Sequence, residues 1–336
     1  AAVVEPPILQ SAETLLDLYG EDIRARAYVT SDALRGEQML RPDFTVPVVQ
    51  MHMAHGADPA RYTYAGEVFR RQEHDPNRAN EYIQVGYEVF DRTDPAAADA
   101  EVFALISQAL AGLPVRAVTG DIGVLMAAVD GLETTARRKQ ALMRHIWRPR
   151  RFRALLDRFS GRVPVPAARA ALLVGNVTNN APLIGLRSAA EIEARISALY
   201  EDATTPAISA KQVQLIETLL GIRQTMPHAV SRLHDLAVDM PQIGQAVERV
   251  AAREKALRKH GIDTADLLFE SSYGRASMEY YDGFVFGFRA TARADLPAIA
   301  SGGRYDALTR RLGQGDAIPA VGGVMRPGLM LELAQC

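Results

Sequence analysis

Strand signals in this chain gather at its two ends, and a long helical stretch separates them. Two well-marked strands fall at roughly 61–71 and 82–92, and 115–119 reads as another, ended by Gly120-Asp121. From about 122 to 262 the residues follow helical periods and carry few strand signals, after which strand character returns at 267–271 and 280–290. Sheet, helices and sheet again predict an α+β fold. One sheet-bearing domain would cover 1–130 and 264–336, interrupted by a mostly helical insertion at 131–263.

The helix boundaries have chemical markers. Ser11 is placed to cap a short helix, with Glu13 in its first turn where the helix dipole favours an acid. A helix is predicted over about 96–111, with Val102, Leu105, Ile106, Ala109 and Leu110 on one face. Ser188-x-x-Glu191 and Ser209-x-x-Gln212 form capping boxes; Pro227 and Pro241 fall near helix starts, Gly221 and Gly261 near ends. Residues 301–310 read as a glycine turn entering a helix, followed by 320–324 and a closing helix. There is no internal repeat and no low-complexity run.

Composition narrows the function classes. A length of 336 residues, 48% hydrophobic and 23% charged, suits a globular chain with a large core. No stretch approaches the ~20 apolar residues of a membrane span, and residues 1–9 lack the layout of a signal peptide. The single cysteine, Cys336, excludes an internal disulfide framework and suits a reducing, cytoplasmic setting. A net charge of -2 argues against a protein whose main task is gripping phosphate backbones. The seven histidines form no HxxxH or HExxH pair, so no metal is expected. No GxxxxGK loop is present, and no cofactor is expected.

Two strands have faces that call for an explanation. In 82–90, Ile83, Val85, Tyr87 and Val89 share one face while Gln84, Gly86 and Glu88 share the other. A glycine between two hydrogen-bonding side chains leaves room for something against the backbone; an edge strand bulged at Gly86 is the alternative. In 279–289, Phe284, Phe286 and Phe288 mark a core side, and Tyr281, Gly283, Gly287 and Arg289 mark either a ligand floor or a site of sheet curvature.

Five separate motifs, in order, resemble the histidine-reading half of a histidyl-tRNA synthetase, over most of 6–130 and 264–333. Arg41-Pro-Asp-Phe-Thr-Val-Pro47 resembles its LRPEGTAP loop, which implies that Asp43 and Thr45 hold a substrate ammonium. Gly66-Glu-Val-Phe-Arg-Arg-Gln72 resembles class II motif 2, with Arg70 in the place of the arginine on the α-phosphate. Gln84 and Glu88 match a QxGxE strand that helps hold histidine, and Tyr280-Tyr281 match a tyrosine pair whose second member faces the imidazole. Gly302-Gly-Arg-Tyr-Asp306 matches a GGRYD turn lining the same pocket, which adds Tyr305. The resemblance implies a class II antiparallel sheet flanked by helices.

The departures from that pattern are as telling as the matches. The arginine ahead of the tyrosine strand is replaced by Ala276, with Arg275 one place out of register. A motif 3 arginine would fall near Leu329; Arg326 lies nearby, with Pro327 and Gly328 reshaping the turn. Gln72 stands for the usual motif 2 glutamate, and 73–78, including His74, is more acidic than a tRNA end would favour. Amino-acid activation needs fixed cations at the phosphates, so no catalytic residue is assigned. The sequence stops six residues after Met330, before an anticodon-reading domain would begin.

The pattern is similar to the family's regulatory branch, which implies a hetero-oligomer with the short-form catalytic subunit of ATP phosphoribosyltransferase. It further implies a homodimer through the class II core and feedback by histidine on histidine biosynthesis. A synthetase fragment and a tRNA-sensing module are the alternatives. The basic stretch 137–158, with Trp147 and Phe152, reads as a solvated helical hairpin ahead of a partner-binding or RNA-binding face. Asp121 reads as a turn residue.

Overall fold

The structure, a computed structural model, describes residues 1–19, 23–72, 78–174, 184–275, 280–313 and 315–335. Twelve strands form two sheets. They are β1 (Ala2–Val3), β2 (Leu9–Ser11), β3 (Val29–Asp32), β4 (Gly36–Leu40), β5 (Ala60–Phe69), β6 (Glu81–Phe90), β7 (Val115–Asp121), β8 (Arg223–Thr225), β9 (Leu268–Glu270), β10 (Phe284–Ala290), β11 (Ala300–Arg304) and β12 (Ala320–Met325). The large sheet runs β1-β5-β6-β12-β11-β10-β7-β9-β8, and β2-β4-β3 forms a small one. Only the β1–β5 and β7–β9 pairings are parallel. The antiparallel sheet with flanking helices is the architecture the sequence predicts.

Strands from both ends of the sequence are interleaved. β6 pairs with β5 along its whole length, from Ala60↔Phe90 to Phe69↔Glu81, and its other edge pairs with β12. The helix Pro95–Ala109 covers one face of this centre and brings Phe103 to the sheet. Phe284, Phe286 and Phe288 converge on that ring, with centroids 6.3, 5.3 and 5.2 Å away. The core face of β10 is therefore the phenylalanine face.

Some expected elements take a different form. β10 starts at Phe284, so Tyr280–Gly283 precede the strand. Residues 300–304 form a central strand, not a glycine turn, because Gly302 and Gly303 pair with Gly323 and Gly322 of β12. A Cβ on Gly302 would overlap the Phe286 ring, and one on Gly303 would stand 2.7 Å from the Tyr281 ring. The glycines thus let large side chains lie flat against two neighbouring strands. At Gly287 the floor expected for a ligand is already covered, by the Tyr273 hydroxyl.

The helical stretch is joined to the sheet at several points. Ser188 and Glu191 make both bonds of a capping box, and Ser209 accepts from Gln212 N at 3.2 Å. Within the stretch, β8 pairs antiparallel with β9 and so extends the sheet. The helix Gly244–Lys259 packs on Pro95–Ala109. Four cations of the basic stretch pair with nearby acids: Arg138 and Arg158 reach Asp202 at 2.6 and 3.7 Å, Arg137 reaches Glu201, and Arg153 reaches Glu217. Trp147 Nε1 donates to the Tyr281 carbonyl at 3.1 Å, and Phe152 is buried beneath Arg275.

Asp121 is not a turn residue. It ends β7, is 2% exposed, and lies 2.9 Å from Arg253 Nη2. Arg253 also donates through Nε to Asp99 Oδ2 at 2.7 Å, while Asp99 Oδ1 accepts from Arg304 Nε and Nη2. Arg304 continues to Asp306 Oδ1 at 3.0 Å. Asp282 accepts from the Asp306 and Ala307 amides at the start of the next helix; burial, then Asp306, pushes its pKa up to about 7. The arginine and aspartate of the GGRYD motif are thus committed to an ion network centred on buried Asp99. Among the described residues no helix is long and apolar enough to cross a membrane.

Removing the central acid of that network leaves two buried guanidinium groups with one acid each, Asp121 for Arg253 and Asp306 for Arg304. Asp99→Ala is expected to lower stability by about 3–5 kcal/mol in urea denaturation. Glu37→Ala, which breaks the exposed Arg24–Glu37 pair, is expected to leave the midpoint nearly unchanged.

Candidate functional site: a small polar cleft

The site is built around the even-numbered face of β6. Gly86 is there because Tyr64, paired opposite it on β5, lies across the strand, and a Cβ at 86 would overlap the Tyr64 ring. The group approaching the backbone is therefore part of the chain itself. Phe44 stacks on Tyr64 at 4.2 Å with 11° between the rings, which fixes residues 41–44 and the start of the helix Thr45–His55 above the strand. Arg41 secures that loop from behind, donating to the Pro6 and Glu67 carbonyls.

Glu88 lies beneath the cleft, 1% exposed. Its Oε1 accepts from Tyr64 Oη at 2.8 Å and Thr45 Oγ1 at 3.3 Å, and its Oε2 from Tyr305 Oη at 2.6 Å. Space for the carboxylate comes from Gly322, where any Cβ would collide with it. Burial raises the Glu88 pKa to about 7, against the lowering effect of the three hydroxyls.

Above this layer, Asp43, Thr45, Arg70, Gln84, Tyr280, Tyr281, Ser301, Gly322 and Arg326 are among the residues lining a narrow cleft of about 30 Å³, well below the volume of an open ligand site. Arg70 Nε donates to the Pro42 carbonyl at 2.7 Å, and its Nη2 lies 3.5 Å from Asp43 Oδ2. Tyr280 Oη donates to Thr45 Oγ1 at 3.4 Å. Tyr280 and Tyr281 meet edge to face at 4.8 Å. Gln84 is 1% exposed, and its Oε1 has no hydrogen-bond partner. A buried acceptor left unpaired in a cleft wall calls for a ligand donor.

Six of the eight sequence-derived site residues, Asp43, Thr45, Arg70, Gln84, Tyr280 and Tyr281, line the cleft. Glu88 and Tyr305 form the layer beneath it. Arg326, counted in the sequence as a displaced motif 3 arginine beside a reshaped turn, precedes the helix Pro327–Ala334 and lines the cleft. Its guanidinium donates to the Ala298 carbonyl at 2.7 Å and to Ser301 Oγ at 3.2 Å. Burial lowers its pKa, and nearby Arg70 adds to this. Arg275 points elsewhere, donating to the Ile146 carbonyl at 2.8 Å. Burial pulls its pKa down to about 10. Ala276, Glu279, Cys336 and the 73–77 segment with His74 lie outside the described residues. Tyr64 escaped sequence reasoning; only the glycine opposite it signalled its presence.

Chemically, the cleft offers guanidinium groups for a carboxylate and carboxylate, amide and hydroxyl oxygens for an ammonium. That is the complement of a zwitterion. Among the described residues no cluster of His, Cys, Asp or Glu is placed to hold a metal ion.

Comparison with known proteins adds a family to this geometry. A family model described as histidyl-tRNA synthetase matches residues 2–181 and 186–327. ATP phosphoribosyltransferase regulatory subunits from Brucella ovis and Brucella abortus are each 30% identical over 344 residues, covering 96% of this chain and 90% of the relative. A solved Bacillus halodurans protein, described as an ATP phosphoribosyltransferase regulatory subunit/histidyl-tRNA synthetase, is similar at a TM-score of 0.68 and 22% identity. The match covers 98% of this chain and 74% of that one. Histidyl-tRNA synthetase from a Nostoc species gives 0.65 and 19%, over 99% and 68%. At those identities the structural likeness carries the fold alone.

Two measurements test the layer below the cleft. Gly86→Ala is expected to cost about 1–3 kcal/mol, less when combined with Tyr64→Ala, because the two changes share one contact. Glu88, raised from 4.5 to about 7, binds its proton more tightly in the folded chain. Its contribution to stability therefore falls as pH rises through that window and is flat above it. Glu88→Gln lacks this loss, so its stability relative to wild type should rise between pH 5 and 8 by up to about 3 kcal/mol in urea titrations.

Proposed function

The chain belongs to the histidyl-tRNA synthetase family, among the regulatory subunits of ATP phosphoribosyltransferase, and we propose that it senses an amino acid, histidine, for a catalytic partner. In this reading it performs no chemistry. It binds the short catalytic subunit of ATP phosphoribosyltransferase, supports the first step of histidine biosynthesis, and carries the histidine signal that restrains it. A cytoplasmic homodimer through the class II core completes the assembly.

The observation that carries the proposal is the cleft itself. Its carboxylate, amide, hydroxyl and guanidinium lining matches the two charged ends of an amino acid, and at about 30 Å³ it must widen to admit one. The cations that nucleotide chemistry would need are already engaged by the chain: Arg70 by Pro42 and Asp43, Arg326 by Ala298 and Ser301, and Arg275 by Ile146. Gln84, with its unpaired Oε1, still awaits a donor such as an ammonium or imidazole N–H. The presence of Arg70 and Arg326 in the cleft favours a second reading, an activating synthetase, but part of each guanidinium is spent on the chain itself, which leaves fewer donors for a triphosphate.

The test is reconstitution with a catalytic phosphoribosyltransferase subunit. The chain should co-purify with it and raise its rate, and histidine should reverse the gain. Gln84→Ala should keep complex formation and activation while weakening the histidine response by roughly tenfold, the equivalent of one lost buried hydrogen bond. A wild-type chain that neither binds nor activates the subunit contradicts the proposal.

A further inference from the structure

We infer that Glu88 is a positioning residue that supplies the cleft's buried counter-charge through Thr45, and that an ammonium bound against Thr45 and Tyr280 drives the Glu88 proton out to solvent. This inference rests on the amino-acid-binding reading above and assigns that site a proton linkage.

The geometry is a short hydroxyl relay. Tyr280 Oη donates to Thr45 Oγ1, and Thr45 Oγ1 donates to Glu88 Oε1, at 3.4 and 3.3 Å. Thr45 and Tyr280 line the cleft, whereas Glu88 is 1% exposed and has no direct access to it. A ligand ammonium can occupy only the wall, so it meets Glu88 through the threonine. Thr45 has one proton and two lone pairs. Its proton already goes to Glu88 Oε1 in the empty site, so its lone pairs face Tyr280 and the ligand, and a cation bound there lies one hydroxyl away from the buried acid.

The charge balance points the same way. Glu88 faces Thr45 from the helix Thr45–His55, Tyr64 from β5, Tyr305 after β11, and Asp43 and Tyr281 from the cleft rim. All three of its hydrogen-bond donors are neutral hydroxyls. The nearest charge that acts on it, Asp43, repels a second negative charge and has Arg70 3.5 Å away. Burial and Asp43 together hold the empty-site Glu88 at about 7, so near neutral pH it is partly protonated. A cation arriving at Thr45, in a site of low dielectric, favours the carboxylate. The carboxylic acid O–H bond breaks, and the proton leaves for solvent.

The sign follows. Because the bound form prefers the ionised acid, affinity is full above pH 7 and declines as pH falls below it, by about tenfold from pH 8 to pH 6. Selectivity follows too. A ligand that presents no cation to Thr45 draws no proton from Glu88, and its affinity is independent of pH over that range.

Calorimetric titration of L-histidine into the full chain tests this, in two buffers of different ionisation enthalpy at pH 6.5 and 8.0. Histidine's own imidazole titrates in this range, so the readout is the difference between wild type and Glu88→Gln. Wild type should release more, by about three quarters of a proton at pH 6.5 and almost none at pH 8.0. Thr45→Val, which keeps the shape and removes the relay, should lose the extra release while retaining Glu88. It serves as the comparison should Glu88→Gln fold poorly. Equal proton release in wild type and variants, with histidine bound in each, overturns the linkage. No histidine binding at either pH overturns the ligand reading and this inference with it, and the two failures are distinct.

Discussion

A carboxylate buried among hydroxyls fixes the centre of this molecule. Glu88 takes three hydrogen bonds from three separate parts of the fold: Thr45 on a helix, Tyr64 on β5, and Tyr305 beyond β11. A fourth part, β12, makes room with Gly322. Burying an acid without a cation is unfavourable unless its oxygens are satisfied, so the four parts must assemble together. The cleft above inherits its shape from that assembly. One of its walls, Thr45, donates to the acid and accepts from a second, Tyr280, and Gly322 and Gly323 of β12 line it as well.

How much of this was legible in the sequence depended on what a pattern can encode. Alternation along 82–90 picked out the face that carries Gln84 to the cleft and Glu88 beneath it, and three spaced phenylalanines picked out the core face of β10. Gly86 revealed that something approaches the backbone, but a missing side chain does not say what fills the gap; it is Tyr64 and not a ligand. The paired glycines at 302–303 looked like a turn because glycine usually marks one. Their partners at 322–323 lie too far along the chain for local reasoning to connect. Asp121 was misread for the same reason, since Arg253 is far away in sequence. Arg326 was set aside on the shape of the Pro327-Gly328 turn, yet the strand before it carries its side chain into the cleft.

The functional account comes from what the cations are doing. Enzymes that activate carboxylates hold positive groups ready where charge develops. Here each candidate guanidinium is occupied by a carbonyl, a hydroxyl or a carboxylate of its own chain. What the cleft leaves unpaired is an acceptor, the Gln84 amide oxygen, and an acceptor recruits an ammonium or imidazole N–H. On the proposed reading, a fold shared with histidyl-tRNA synthetases keeps recognition of an amino acid and offers less to a nucleotide, in keeping with a chain that belongs with regulatory subunits.

The most direct measurement of that claim is histidine-dependent exchange of labelled pyrophosphate into ATP, with magnesium and the purified chain alone. The account predicts no exchange above background at histidine concentrations that saturate the cleft. Sustained exchange that requires histidine, and that disappears on replacing Arg70 or Arg326, would contradict it.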